Sequence, residues 1–191
     1  MKKYTAMREL ECLTAGLSSD VWRDGADRPE DSLYGSADEV SRLRLREISR
    51  KYGLSLCTNT ESDADVELPT VENAENVSTV YCFDEGIFGI SGRLKISGWK
   101  CDFVYEECPA GVMGFWSNGG YILDKYSQWR YTAPCGKELF IDMGPADSGG
   151  YSGFRQVLLY WQDGDRIITV RGSVPNGRDG AEAFAECFIS E

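Results

Sequence analysis

From Val77 onward the apolar residues of this chain recur at every second position, and that alternation limits the fold more than any other feature of the sequence. A period of two belongs to a strand with one buried face. Val77, Thr79, Tyr81 and Phe83 set one such face, and Leu94 and Ile96 alternate with Arg93 and Lys95. Trp99, Cys101, Phe103 and Tyr105 share a face that should be buried, while Lys100, Asp102 and Glu106 take the other. Asp84-Glu85-Gly86 and Ser97-Gly98 turn the chain between these runs. Further strands are expected at 112–117, 121–124, 129–132 and 137–143, separated by Asn118-Gly119-Gly120, a polar step and Pro134-Cys135-Gly136. Runs 154–162 and 165–171 around Asp163-Gly164 form the clearest hairpin, whose glycine accepts a positive φ. Closely spaced short strands of this kind fit an antiparallel sheet.

Before Val77 the pattern differs. Tyr4, Met7, Leu10, Leu13 and Leu17 follow helical spacing, and 18–35 reads as an irregular connector. Ser36 and Glu39 make a capping box ahead of Val40, Leu43, Glu47, Ile48 and Tyr52, with Gly53 as the stop. A polar, acidic stretch with Pro69 fills 58–76. At the other end, Asp179 and Glu182 form a second capping box before the stripe Ala183, Phe184, Cys187 and Phe188. The fold class expected is α+β: an antiparallel sheet of about seven to nine strands, curved or an open barrel, with N-terminal helices and a short C-terminal helix packed on it. Residues 1–76 form a helical arm and acidic linker, and residues 77–191 the β domain with its helix. The 191 residues suffice for one folding unit with a core that needs no staples.

Composition narrows the chemistry. The chain has 0 histidines, which removes Ser-His and Cys-His nucleophile systems, HExxH zinc enzymes and His-ligated haem. Its 7 cysteines form no CxxC pair and are expected as reduced thiols, although Cys101 and Cys108 could face each other across a hairpin. No metal or cofactor is expected. A net charge of -11 repels phosphate backbones and anionic headgroups, so nucleic acid is not an expected partner. The basic cluster Arg42, Arg44, Arg46, Arg50 and Lys51 is interrupted by Glu39 and Glu47 and reads as a solvated helix face. Arg8, Glu9 and Glu11 break what would be the apolar stretch of a signal peptide after Lys2-Lys3, and no run has the length of a membrane span, so no insertion by this chain is expected.

Candidate catalytic sets are weak. Asp84-Glu85 and Glu106-Glu107 are neighbours, and neighbours on a strand point to opposite faces. Asp63, Asp65 and Glu67 lack the glycine and distant glutamate of an EF-hand loop. The run Gly149 to Gly153 has neither the GxSxG spacing nor a phosphate-loop ending, and Cys135 at its turn has no histidine to activate it. No catalytic residue is assigned. Aromatic residues are the one enrichment that fits binding: Trp116, Tyr121 and Tyr126 flank a turn, and Trp129 follows them. These four are the candidate ligand-binding residues. The expected function is a non-enzymatic binding or sensor domain that recognises a protein segment or small ligand. Two alternatives are a carbohydrate-active enzyme using carboxylates such as Asp102 and Glu106, which needs them roughly 5 to 10 Å apart in a cleft, and a structural assembly subunit.

Three segments carry a resemblance: Leu45 to Leu54, the run Tyr126-Ser127-Gln128-Trp129-Arg130-Tyr131-Thr132 with Gly136, and Ile167-Ile168-Thr169-Val170 with Ala183-Phe184-Ala185-Glu186-Cys187-Phe188. Together they resemble bacterial (Firmicutes) lipoprotein and anti-sigma-factor-like extracytoplasmic domains of the DUF4367 type. The resemblance implies an extracytoplasmic β-sheet domain with a ligand-binding or sensing role and no catalytic residues.

Overall fold

The structure, a computed structural model, describes residues 21–23, 50, 69–83, 86–96, 98–110, 127–145, 153–175 and 177–189. The expected helices before residue 54 and the expected strands at 112–117 and 121–124 lie outside the described residues. The described chain is built from β1 (Val21–Arg23), β2 (Ala74–Phe83), β3 (Ile87–Ile96), β4 (Trp99–Pro109), β5 (Ser127–Thr132), β6 (Glu138–Met143), β7 (Phe154–Asp163), β8 (Arg166–Pro175) and the helix α1 (Arg178–Glu186).

All strands belong to one antiparallel sheet in the order β2-β3-β4-β8-β7-β6-β5. Its two end strands, β2 and β5, do not pair with each other, so the sheet is open rather than a closed barrel. β1 was expected as irregular chain. Instead Val21 and Arg23 pair with Cys101 and Trp99 on the part of the β4 edge that β8 leaves free. Three residues are too few for an alternating pattern to show in the sequence.

Register decides the two faces. Opposite Phe103 in the sheet stands Gly92, and a Cβ there would lie 2.8 Å from two carbons of the Phe103 ring. Gly172 on β8 makes the same concession to α1: a Cβ would come within 2.6 Å of the Phe184 ring. Each glycine lets an aromatic ring lie directly on the backbone. Ile90, Leu94, Cys101, Phe103, Leu139, Ile141, Leu159 and Val170 line this face fully buried, none more than 1% exposed, and Ala181, Phe184 and Ala185 of α1 press onto it. Phe188 extends the contact, with ring centroids 5.0 Å from Phe103 and 5.1 Å from Phe184. Alanine at 181, 183 and 185 favours helix, and burial of the Phe184 side holds it against the sheet. The expected capping box is corrected: Gly177 occupies the N-cap without a side-chain bond, and Asp179 sits in the first turn. There its charge faces the positive helix end.

The β7–β8 hairpin forms as expected, one residue later. Asp163 pairs with Arg166, which leaves Gly164 and Asp165 as the turn, with Gly164 at φ 58. β2 starts at Ala74, and its register shifts between Glu75 and Ser78, where Asn76 takes φ 53. A second shift falls between Thr79, opposite Ile90, and Tyr81, opposite Gly89, so the alternation expected from Val77 through Phe83 is interrupted within the strand. Cys101 and Cys108 do not face each other across a hairpin. Both lie on β4, seven positions apart and therefore on opposite faces, and each is buried.

Candidate functional site

Trp116, Tyr121 and Tyr126 lie outside the described residues. Trp129 stands on β5 opposite Ile141, half-buried on the face that α1 covers. Its indole Nε1 donates to Glu182 Oε1 at 3.3 Å, and the Arg178 guanidinium sits 5.2 Å from the ring centroid. Two residues on, the Tyr131 hydroxyl donates to Glu186 Oε1 at 2.6 Å. Desolvation, and then the Glu186 carboxylate beside it, push that phenol up to about 12. Trp129 and Tyr131 thus fasten the end of the sheet to the helix. Glu182, expected to cap α1, binds Trp129 and Arg178 instead.

Among the described residues β5 pairs with β6 alone, which makes it an edge strand of the sheet they form. The phase of its hydrogen bonds follows from one contact. Ala133 N–H donates to Lys137 C=O at 2.9 Å, and the same register carries through β5 to Ser127 opposite Met143. In an antiparallel pair, directly opposed residues alternate between exchanging hydrogen bonds and pointing them away. Ser127, Trp129, Tyr131 and Ala133 therefore bond to β6, while Gln128, Arg130 and Thr132 aim their N–H and C=O outward. All three of these residues are exposed. The result is a short, open row of donors and acceptors at the spacing a further strand would need.

The sheet face away from α1 continues beside this edge. Arg130, Phe140 and Tyr160 fall in one cross-strand row. The Phe140 and Tyr160 rings stack at 5.1 Å with planes 12° apart, and Arg130 lies 5.4 Å above Phe140. Phe140 is the most exposed large hydrophobic side chain among the described residues, at 36%. In the next row Gln128 and Asp142 are opposite each other. Gln128 Nε2 donates to the Tyr160 hydroxyl at 2.5 Å. Asp142 is buried, its Oδ1 has no hydrogen-bond partner, and desolvation holds its carboxyl above the ordinary range despite a bond from Gln128.

Further in, the same face is buried at β4 and β8. Asp102 pairs with Arg93 at 3.1 Å and Glu106 with Arg171 at 2.6 Å, with Glu106 only 2% exposed. The two carboxylates stand four residues apart on one strand, about 13 Å between their Cα atoms. Glu107 points to the opposite face from Glu106, where it accepts from Arg166 Nε at 2.7 Å and from the Tyr105 hydroxyl at 2.9 Å. Arg166 also donates to the Gly86 carbonyl and so closes that end of the core. Cys135 is exposed in the β5–β6 turn, while burial pushes the Cys101 thiol well up and that of Cys187 up to about 11.

The site that the described residues assemble is therefore the β5 edge with its two flanking faces: Trp129, Tyr131 and α1 on one side, Arg130, Phe140 and Tyr160 on the other. Sequence reasoning named Trp129. It missed Phe140 and Tyr160, which lie 20 positions apart and meet only through the β6–β7 register. Compared with protein-family models, curated proteins and solved structures, the chain matches none.

Proposed function

We propose that this chain is a binding domain without an enzymatic role, and that it recognises an extended segment of a protein partner by adding it as a strand along β5. The observation that carries this reading is the outward row of backbone groups at Gln128, Arg130 and Thr132, exposed and unpaired among the described residues. Strand addition draws affinity from such main-chain groups and selectivity from the side chains on either face. Here the aromatic residues flank the row on both faces, so side chains of an added strand would lie over Tyr131 on one face and beside Arg130 and Phe140 on the other.

Selection of displayed peptides against the full chain tests the reading, with Arg130→Pro as the discriminating variant. Proline removes an N–H that the sheet itself does not use, and edge strands tolerate it. Selected peptides are expected to bind the native chain and to lose binding to Arg130→Pro, while its thermal unfolding stays close to native. Peptides that bind both chains equally contradict strand addition.

A further inference from the structure

Resting on the strand-addition reading, we infer that the segment taken up by β5 is basic, with lysine or arginine at alternate positions. The argument starts from two matched spacings. Glu182 and Glu186 are four residues apart on α1, about 6 Å along the helix. Trp129 and Tyr131 are two apart on β5, about 6.6 Å along the strand. Each glutamate meets one of these rings through Oε1, at 3.3 and 2.6 Å. In each case no hydrogen bond from a described residue reaches Oε2.

An added strand runs about 4.8 Å beyond β5 and repeats its side chains on this face at the same interval. Two of its residues, at i and i+2, then fall level with the two glutamates. Arg178, the only cation of α1, already pairs with Glu182 Oε1 at 2.6 Å and lies over the Trp129 ring. Asp179 and Glu186 keep this side of the helix negative, and of the two glutamates Glu186 is the stronger attractor. The half-buried ring of Tyr131 adds attraction for a cation. The residue between them, at i+1, faces Arg130, which discourages a second cation there. A net charge of -11 on the whole chain draws a basic segment in and repels an acidic one. The partner chemistry is therefore a cation on one face of the strand and a neutral or apolar residue on the other.

Three labelled peptides of equal length distinguish this from the reading beneath it: lysine alternating with valine, glutamine alternating with valine, and the lysine–valine composition rearranged into two blocks. Their affinities for the full chain are read by fluorescence anisotropy. The alternating lysine peptide is expected to bind about tenfold more tightly than the glutamine peptide and more tightly than the block isomer, from two exposed ion pairs. Glu182→Gln with Glu186→Gln is expected to erase that ratio. Glu186→Gln alone, an exposed change in the last turn of α1, should remove at least half of its logarithm if the double variant does not fold. Equal binding of the lysine and glutamine peptides, both lost in Arg130→Pro, overturns the basic partner and leaves strand addition standing. Binding unaffected by Arg130→Pro, or no binding of any peptide, overturns both.

Discussion

Replacing Gly172 by alanine tests how α1 is seated. The new Cβ would stand 2.6 Å from Phe184 Cζ and 2.8 Å from Cε2, where carbon atoms normally keep about 3.5–4.0 Å. Phe184 is fully buried and has Phe188 at 5.1 Å, so its ring cannot swing to solvent. Overpacking of this kind costs about 1–3 kcal/mol, and the stiffer unfolded chain returns roughly 0.4–1 kcal/mol. The net loss should be about 1–2 kcal/mol, a fall in Tm of roughly 2–8 °C for a chain of this size. Urea and thermal unfolding of Gly172→Ala, Phe184→Leu and the pair complete a double-mutant cycle. Leucine removes the colliding ring carbons, so the pair is expected to be more stable than the sum of single losses by at least about 0.5 kcal/mol. Strict additivity, or an alanine variant as stable as the native chain, would refute a ring lying on Gly172.

Other expectations follow from the buried polar groups and thiols. Asp142 carries a carboxyl raised by desolvation, and a group whose folded pKa is raised stabilises below its unfolded value and loses that contribution as pH rises through the folded one. Asp142→Asn should therefore gain on the order of 1 kcal/mol over the native chain at neutral pH, a gain that should shrink on acidification, as measured by urea unfolding of both chains across pH. Arg171→Met takes from buried Glu106 the cation held at 2.6 Å, and should cost about 3 kcal/mol in urea unfolding. In the native state a maleimide followed by peptide mass mapping should label Cys135 ahead of Cys101, Cys108 and Cys187, which should react after unfolding. Labelling of Cys101 in the folded chain would contradict its place in the core.

What the sequence made legible was the part of the fold that depends on near neighbours. The face of Trp99, Cys101, Phe103 and Tyr105 is buried as its alternation requires, and the Asp163-Gly164 hairpin forms within one residue. What depended on partners far along the chain stayed hidden. Asp102 and Glu106 look like solvated positions until Arg93 and Arg171 arrive from neighbouring strands. Glu182 fits a local capping box, yet its partner Trp129 lies 53 positions away. The edge itself is a matter of strand order. β8 inserts beside β4, the meander through β7 and β6 then runs outward, and β5 is left at the end, which no local pattern announces.

Amide hydrogen exchange along β5, followed residue by residue by NMR with and without the alternating lysine peptide, tests the edge most directly. In the free chain Trp129, Tyr131 and Ala133 should be protected, and Gln128, Arg130 and Thr132 should exchange quickly; the peptide should slow these three selectively. Uniform protection along free β5, or three outward amides that the bound peptide leaves unchanged, would contradict strand addition at this edge.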